Sequence, residues 1–113
     1  MNSEPLSALR RVAGVLGCFV CGPQGQLLLL DMPGEIEIEA LERTSARLMN
    51  LLQTASETLP SCDSMRLRFG AAELVATRLR SGLLCVLADA ALDRALLLVA
   101  TQTLARRLAA AGG

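Results

Sequence analysis

Two segments that are apolar at consecutive positions constrain the fold more than any other feature of the sequence. Val15 to Cys21 and Leu83 to Ala88 carry apolar or small residues at both odd and even positions. Neighbouring residues of a strand point to opposite faces, so a strand of this kind has to be covered on both faces. The two segments therefore predict central strands of one sheet that has helices on both sides.

Short turns connect these two segments to further strands. A Gly-Pro-Gln-Gly turn after Cys21 leads into a predicted strand from Gln26 to Leu30. Met65 to Phe69 alternates apolar residues with arginines, which is typical of a strand with one face in water. Glu73 to Arg80 alternates less cleanly before a Ser-Gly turn. Because short turns make neighbouring strands antiparallel, we expect one five-stranded antiparallel sheet.

Three helices complete the predicted order. Pro5 suits the first turn of a short helix, where a missing N–H has no cost. A long helix is predicted from Glu35 to Leu59, ended by Pro60, and a last helix follows Asp89 as its N-cap. The chain is therefore expected to be an α+β protein of order α-β-β-α-β-β-β-α, with a single sheet flanked by helices on both faces.

The long helix carries an apolar arc that is wider than one sheet needs. Its seam has the 4-3-4-3-4 spacing of paired helices. At about 100° per residue, Ala40, Met49 and Leu51 extend the arc to roughly half of the helix surface. In any single chain the seam residues would belong to the hydrophobic core. The full arc is wider than the seam, and it therefore predicts a further, symmetric contact with the same helix of a second copy. The seam residues are Leu41, Ser45, Leu48, Leu52, Ala55 and Leu59.

Length, charge and hydropathy exclude several classes of protein. The 113 residues fit a single domain, 1–113, and the formal net charge is zero with acidic and basic residues interspersed. Nucleic acid and anionic membranes are therefore poor partners. Apolar runs are far shorter than the ~20 residues of a membrane helix, so we expect no membrane span and a cytoplasmic location. The hydrophobic content of 52% favours coverage of part of the surface by another protein.

The cysteines and carboxylates do not suggest catalysis. Cys18 and Cys21 form a Cys-x-x-Cys within a predicted strand, where their side chains point to opposite faces and cannot easily share a metal. Cys62 and Cys85 add no second pair with ligand spacing, and the chain has no His. We therefore expect no enzyme activity, catalytic residue, metal site or cofactor. A thiol redox protein is the enzymatic alternative, and replacing Cys18 and Cys21 with Ala or Ser would test it.

The arginines of the later strands form a stripe. Arg66, Arg68, Arg78 and Arg80 could bind phosphate or an acidic partner. The simpler interpretation is a solvated sheet face, or ion pairs with the acidic start of the long helix.

The order of these elements resembles a known family. The stretches "RRVAGVLGCFVCGPQGQLLLL", "MRLRFG" and "ELVATRLRSGLLCVLAD", with a long Leu/Ala helix between the first two and a Leu-rich helix at the end, resemble the Roadblock / dynein light chain family. That family includes bacterial gliding-motility partners of Ras-like GTPases. The resemblance covers about Leu6 to Leu108 and implies a Roadblock/profilin-like fold, with the middle helix on one face of the sheet and the terminal helices on the other.

The resemblance also implies a function. Roadblock-type domains pair through the middle helix and the third strand, and they bind a small GTPase without chemistry of their own. We therefore expect a homodimeric regulator or scaffold of a small Ras-like GTPase; the alternative is a purely structural adaptor of a motility, transport or polarity complex. The expected dimer residues are Leu41, Ser45, Leu48, Leu52, Ala55, Leu59, Arg66, Leu67 and Arg68. The expected GTPase-binding residues are Arg43, Ala46, Arg47, Asn50 and Gln53.

Overall fold

The computed structural model describes residues 4–34, 37–59, 63–80 and 82–110. Five strands and three helices follow one another in the predicted order. The helices are α1 (Ser7–Arg10, preceded by a 3-10 turn at Glu4–Leu6), α2 (Ile38–Thr58) and α3 (Arg94–Ala110). The strands are β1 (Val15–Cys21), β2 (Leu27–Asp31), β3 (Ser64–Phe69), β4 (Ala72–Leu79) and β5 (Gly82–Ala88). The predicted residues Glu35, Pro60, Cys62 and Ser81 lie outside the described residues.

The strands form one antiparallel sheet in the order β2-β1-β5-β4-β3. The two doubly apolar segments, β1 and β5, are adjacent inside the sheet, with Cys18 opposite Val86 and Phe19 opposite Cys85. The prediction that these segments are internal strands is confirmed. In the described chain, β2 and β3 are the edges.

Helices cover both faces of the sheet, as the apolar pattern of β1 and β5 requires. On one face, α1 and α3 pack on Cys18, Val20, Leu84 and Val86. On the other face, α2 packs on a second set of side chains from the same strands. That set includes Phe19, Cys21, Leu74, Leu83 and Cys85. The predicted fold class, a single five-stranded antiparallel sheet between helices, is confirmed.

The last helix begins later than predicted. The N-cap of α3 is Asp93, whose carboxylate Oδ1 accepts a hydrogen bond from the Leu96 N–H at 3.1 Å. Asp89 instead accepts from the Ala91 N–H at 2.8 Å within the preceding turn. The backbone N–H of Asp89 donates to the Gly14 carbonyl at 2.9 Å. The prediction of Asp89 as the cap is wrong because this linker is held against the start of β1 and cannot enter the helix.

Candidate protein-interaction surface

Helix α2 is held against the β1–β2 hairpin by two contacts. The Leu27 N–H at the start of β2 donates to the Glu42 carboxylate at 2.7 Å. Gly25, with φ of +88°, lies under the middle of the helix: a Cβ at this position would be 2.8 Å from the Ala46 backbone nitrogen. Only glycine allows this approach, and the positive φ also favours it. One flank of α2 is thereby directed toward the β2 edge of the sheet.

The inward side of α2 is the centre of the predicted seam. Leu48 and Leu52 are 3% and 1% exposed, and Ser45 is fully buried with its hydroxyl donating to the Leu41 carbonyl at 2.8 Å. All three pack against the sheet of their own chain. The chain's own sheet covers Ser45, Leu48 and Leu52, so these three residues of the predicted dimer set have little surface left for a second copy. Their identification as core is confirmed.

The flank of α2 that faces away from the hairpin is apolar and uncovered. Leu51 is 53% exposed, and Leu59, just beyond the helix, is 61% exposed. Between them, the half-buried Ala55 lines a shallow surface groove together with Leu51 and Thr58, and the same groove is also lined by Arg47, Asn50 and Thr54. Leu51 belongs to the wide apolar arc, although it is absent from the predicted dimer contacts. Ala55 and Leu59 remain available for an intermolecular contact, as does the half-buried Leu41.

The outer side of α2 carries the residues predicted to contact a GTPase. Arg43, Arg47, Asn50 and Gln53 are all exposed, and Ala46 is half-buried because it packs on the hairpin. The Arg43 guanidinium lies 3.9 Å from the Glu37 carboxylate, and both side chains are largely in water. An exposed pair of this kind contributes little to stability, so Arg43 can exchange this partner for another.

The predicted dimer residues of the edge strand β3 lie on two different faces of the sheet. Leu67 is paired with Leu74 and lies on the α2 face, where it is partly exposed. Arg66 and Arg68 point to the α3 face, since Arg68 lies opposite Glu73 and reaches its carboxylate at 3.9 Å. Arg66 and Arg68 can therefore meet a second copy only at the strand edge, whereas Leu67 lies on the same face of the sheet as α2.

Arg68 of β3 and Arg78 of β4 have partners within the chain, and Glu73 is one of these partners. Its carboxylate is buried and accepts a hydrogen bond from Arg94 of α3 at 2.5 Å. Arg78 donates to the Ser56 hydroxyl of α2 at 2.8 Å. The expected ion pairs with the start of α2 are wrong for Arg68 and Arg78, since the strand carboxylate and a helix hydroxyl are nearer. Arg66 and Arg80 lie exposed on the solvated part of the sheet.

The three cysteines that the structure describes are divided between the two cores. Cys18 lies on the α1–α3 side, whereas Cys21 and Cys85 lie on the α2 side, so the predicted opposite orientation of Cys18 and Cys21 is confirmed. Burial raises the pKa of Cys18 to about 12, with the negative charge of Asp31 acting in the same direction. Burial also raises the pKa of Cys21 and of Cys85. A thiol that stays protonated at neutral pH is a poor nucleophile.

Two kinds of site are missing from the described part of the chain. Within residues 4–34, 37–59, 63–80 and 82–110, no three His, Cys, Asp or Glu side chains are grouped so that they could hold a metal ion. No helix in the same residues has the length and hydropathy needed to cross a membrane.

Comparisons with known proteins identify the architecture. No family model and no curated protein sequence matches the chain. MglB from Myxococcus xanthus superposes with a TM-score of 0.76, at 13% identity over 94% of this chain and 86% of that chain. A Roadblock/LC7 domain from Streptomyces avermitilis gives 0.72, at 14% identity over 90% of this chain and 88% of that chain.

A third solved structure has the same arrangement of strands and helices. Profilin II from Acanthamoeba castellanii gives a TM-score of 0.64, at 13% identity over 88% of this chain and 89% of that chain. The TM-scores show a shared fold, whereas identities this low leave the activity open. The chain has the Roadblock/LC7 fold, the architecture that its sequence resemblance implies and that profilin shares.

Proposed function

We propose that this protein is a non-enzymatic, homodimeric regulator or scaffold that binds a small Ras-like GTPase in the cytoplasm. The single observation that carries the proposal is the surface of α2, which offers an exposed apolar flank beside an exposed polar face. The fold and the resemblance to the Roadblock / dynein light chain family support the same assignment. The flank serves the dimer, and the polar face serves the GTPase.

The dimer is argued from the flank of α2 and the edge of β3. Leu51, Ala55 and Leu59 form an apolar surface, and Leu67 extends it along the edge strand. A free edge strand beside an exposed apolar surface favours pairing with another chain. A two-fold axis along this flank would bring α2 against α2 and β3 against β3, so that each copy covers the same residues of the other.

The dimer predicts a sensitivity to charge at Leu51. We expect the wild type to sediment as a dimer at micromolar concentration and Leu51→Asp to weaken dimerisation about 100-fold or more, because a carboxylate would be buried without a partner. Leu96→Asp is the matched control, since Leu96 of α3 is also 53% exposed but lies on the other side of the sheet. A wild type that remains monomeric at this concentration would refute the dimer.

The GTPase contact is argued from the polar face of α2. Arg43 and Gln53 are exposed outside the groove of the apolar flank, so they stay accessible after the dimer forms, whereas Arg47 and Asn50 line that groove beside Leu51. Arginine and amide side chains match the hydrogen-bonding groups of a protein surface, and arginine is enriched where interfaces gain most of their affinity. The two helices of a dimer would together present one continuous polar surface to a single GTPase.

The GTPase contact predicts a loss of binding on charge reversal at Arg43, which lies outside the groove of the apolar flank. We expect a small Ras-like GTPase encoded beside this gene to bind in at least one nucleotide state, and Arg43→Glu to weaken binding about 10-fold or more. Arg107→Glu, an exposed substitution on α3, is the control. Calorimetry with the GDP-loaded and GTP-analogue-loaded protein measures the affinity. Absence of binding in both states would refute the proposal, while binding without any effect on GTP hydrolysis would favour the structural adaptor.

A further inference from the structure

We propose that the α3 face of the sheet holds a second docking groove, which binds an acidic amphipathic helix of a partner protein. The groove lies on the side of the sheet opposite α2, between α3 and strands β3 and β4. It extends beyond the function proposed above, because it uses none of the α2 residues assigned to the dimer or to the GTPase.

The groove exists because α3 does not cover the whole face. Val75, Thr77 and Leu79 of β4 form the floor and remain only partly buried, and α3 forms one wall. Leu98 stands on that wall with 59% of its surface exposed. The open volume between the wall and the sheet is about 370 Å³. An apolar floor with an exposed leucine at its rim is typical of a groove that accepts a helix.

A deeper apolar cavity continues the groove at the far end of α3. Leu79 and Ala105 line both spaces, so the cavity and the groove are adjacent. The cavity has a volume of about 190 Å³ and is otherwise lined by apolar side chains of β1, β2 and α3, with Arg80 at its mouth. This space suits one large aliphatic or aromatic side chain, the kind of anchor that dominates the affinity of many interfaces.

The charge around the groove selects the partner. Arg66 and Arg68 lie on the same face of β3, Arg80 lies at the far cavity, and Arg94 begins the wall. The nearby carboxylate of Glu73 is already bonded to Arg94 and close to Arg68. Among the described residues that line the groove itself, Asp63 is the one carboxylate, and Arg78 and Arg94 are the cations. The border is therefore cationic, and it complements glutamates that flank an apolar stripe.

The length of the groove sets the size of the segment. The residues of α3 that line the groove and the adjoining cavity run from Arg94 to Leu108, which corresponds to about 21 Å of helix at 1.5 Å per residue. A partner helix of about 15 residues, with apolar residues at i, i+3, i+4 and i+7, would fill it. Because α2 lies on the opposite face, the same protein can hold this partner and a GTPase at once.

The test uses a defined peptide and the full chain. The probe is a fluorescein-labelled peptide of about 15 residues with leucines at i, i+3, i+4 and i+7 and glutamates at the flanking positions. Its counterpart has lysine in place of every glutamate. By fluorescence anisotropy, we expect saturable binding of the acidic peptide and at least about 10-fold weaker binding of the basic one. No saturable binding of the acidic peptide below about 1 mM, or equal binding of the two peptides, would overturn the proposal.

Matched variants locate the binding. Leu98→Asp should weaken binding of the acidic peptide about 10-fold or more, whereas Leu96→Asp should leave binding unchanged. The two leucines are similarly exposed on the same helix. Leu96 lies toward α1, away from the groove. Arg66→Glu should largely remove the preference for the acidic peptide, and Arg107→Glu should leave that preference unchanged. Equal effects of the two leucine variants would place the peptide elsewhere and overturn the groove.

Discussion

Leu52→Ala is expected to lower the free energy of unfolding by about 2–5 kcal/mol, and Leu51→Ala by under about 0.5 kcal/mol. The two leucines are neighbours in α2, but Leu52 is 1% exposed and Leu51 is 53% exposed. Truncating Leu52 leaves a cavity against Phe19 and Leu83 in the α2-side core. Truncating Leu51 removes atoms that already contact water in a single chain.

Urea denaturation at several protein concentrations measures the two effects separately. Dimerisation makes the apparent free energy of unfolding depend on protein concentration. The loss of stability caused by Leu52→Ala arises within one chain, so it has to persist when the concentration is lowered. Leu51→Ala should instead reduce the difference in apparent unfolding free energy between high and low protein concentration. Equal losses for both variants at every concentration would contradict the orientation of α2.

Substitution by arginine should distinguish the buried side of α2 from its exposed flank more clearly than substitution by alanine. Leu52→Arg buries a cation with no carboxylate opposite it and should unfold the chain, as should Leu48→Arg. Leu51→Arg should split the dimer and leave the fold intact, which circular dichroism and sedimentation together would show. The seam variants therefore report on folding, and the test of dimerisation belongs to Leu51.

The sequence contains enough information for the sheet. Consecutive apolar residues place β1 and β5 inside it without reference to any other element, because each strand has only two faces. The predicted bounds of β1 match the observed Val15–Cys21, β3 and β5 each differ by one residue at one end, and β2 and β4 are each shifted by one residue at both ends. Short turns left few alternatives for the antiparallel pairing.

The orientation of α2 was harder to predict. Helical spacing gives the angle between two side chains but not the direction of the sheet. The wide arc was therefore assigned to a dimer along its centre, whereas the sheet takes the centre at Leu48 and Leu52 and leaves one flank at Leu51. The contacts that fix the direction, Gly25 on Ala46 and Leu27 on Glu42, join residues far apart in sequence.

The groove beside α3 and the late start of that helix depend on tertiary contacts alone. Asp89 and Asp93 are both good caps by residue type, but the Asp93 carboxylate accepts from the Leu96 N–H in the first turn of α3, whereas the Asp89 carboxylate accepts from the Ala91 N–H in the linker. The width of the groove depends on where α3 lies across the sheet. Hydropathy cannot give that position, because Leu96, Leu98 and Val99 are all apolar and all exposed.

Gly14→Ala should test this linker, with an expected loss of about 3 kcal/mol or more in the free energy of unfolding. Gly14 has φ of +87°, which costs an L-residue about 1–2 kcal/mol. A Cβ at this position would also overlap the backbone of Leu92 and lie 2.6 Å from the Ala91 carbonyl carbon. Backbone atoms cannot move aside as a flexible side chain can.

Gly34→Ala is the matched control for this prediction. Gly34 also has a positive φ, +72°, but nothing lies within 4 Å of an added Cβ. Its variant should therefore show only the conformational cost, about 1–2 kcal/mol, and the difference between the two variants measures the steric overlap at Leu92. Equal losses of unfolding free energy for the two variants would mean that the linker can shift to accommodate the added Cβ. Because the displaced backbone leads directly into α3, Gly14→Ala should also weaken the acidic peptide, and Gly34→Ala should not.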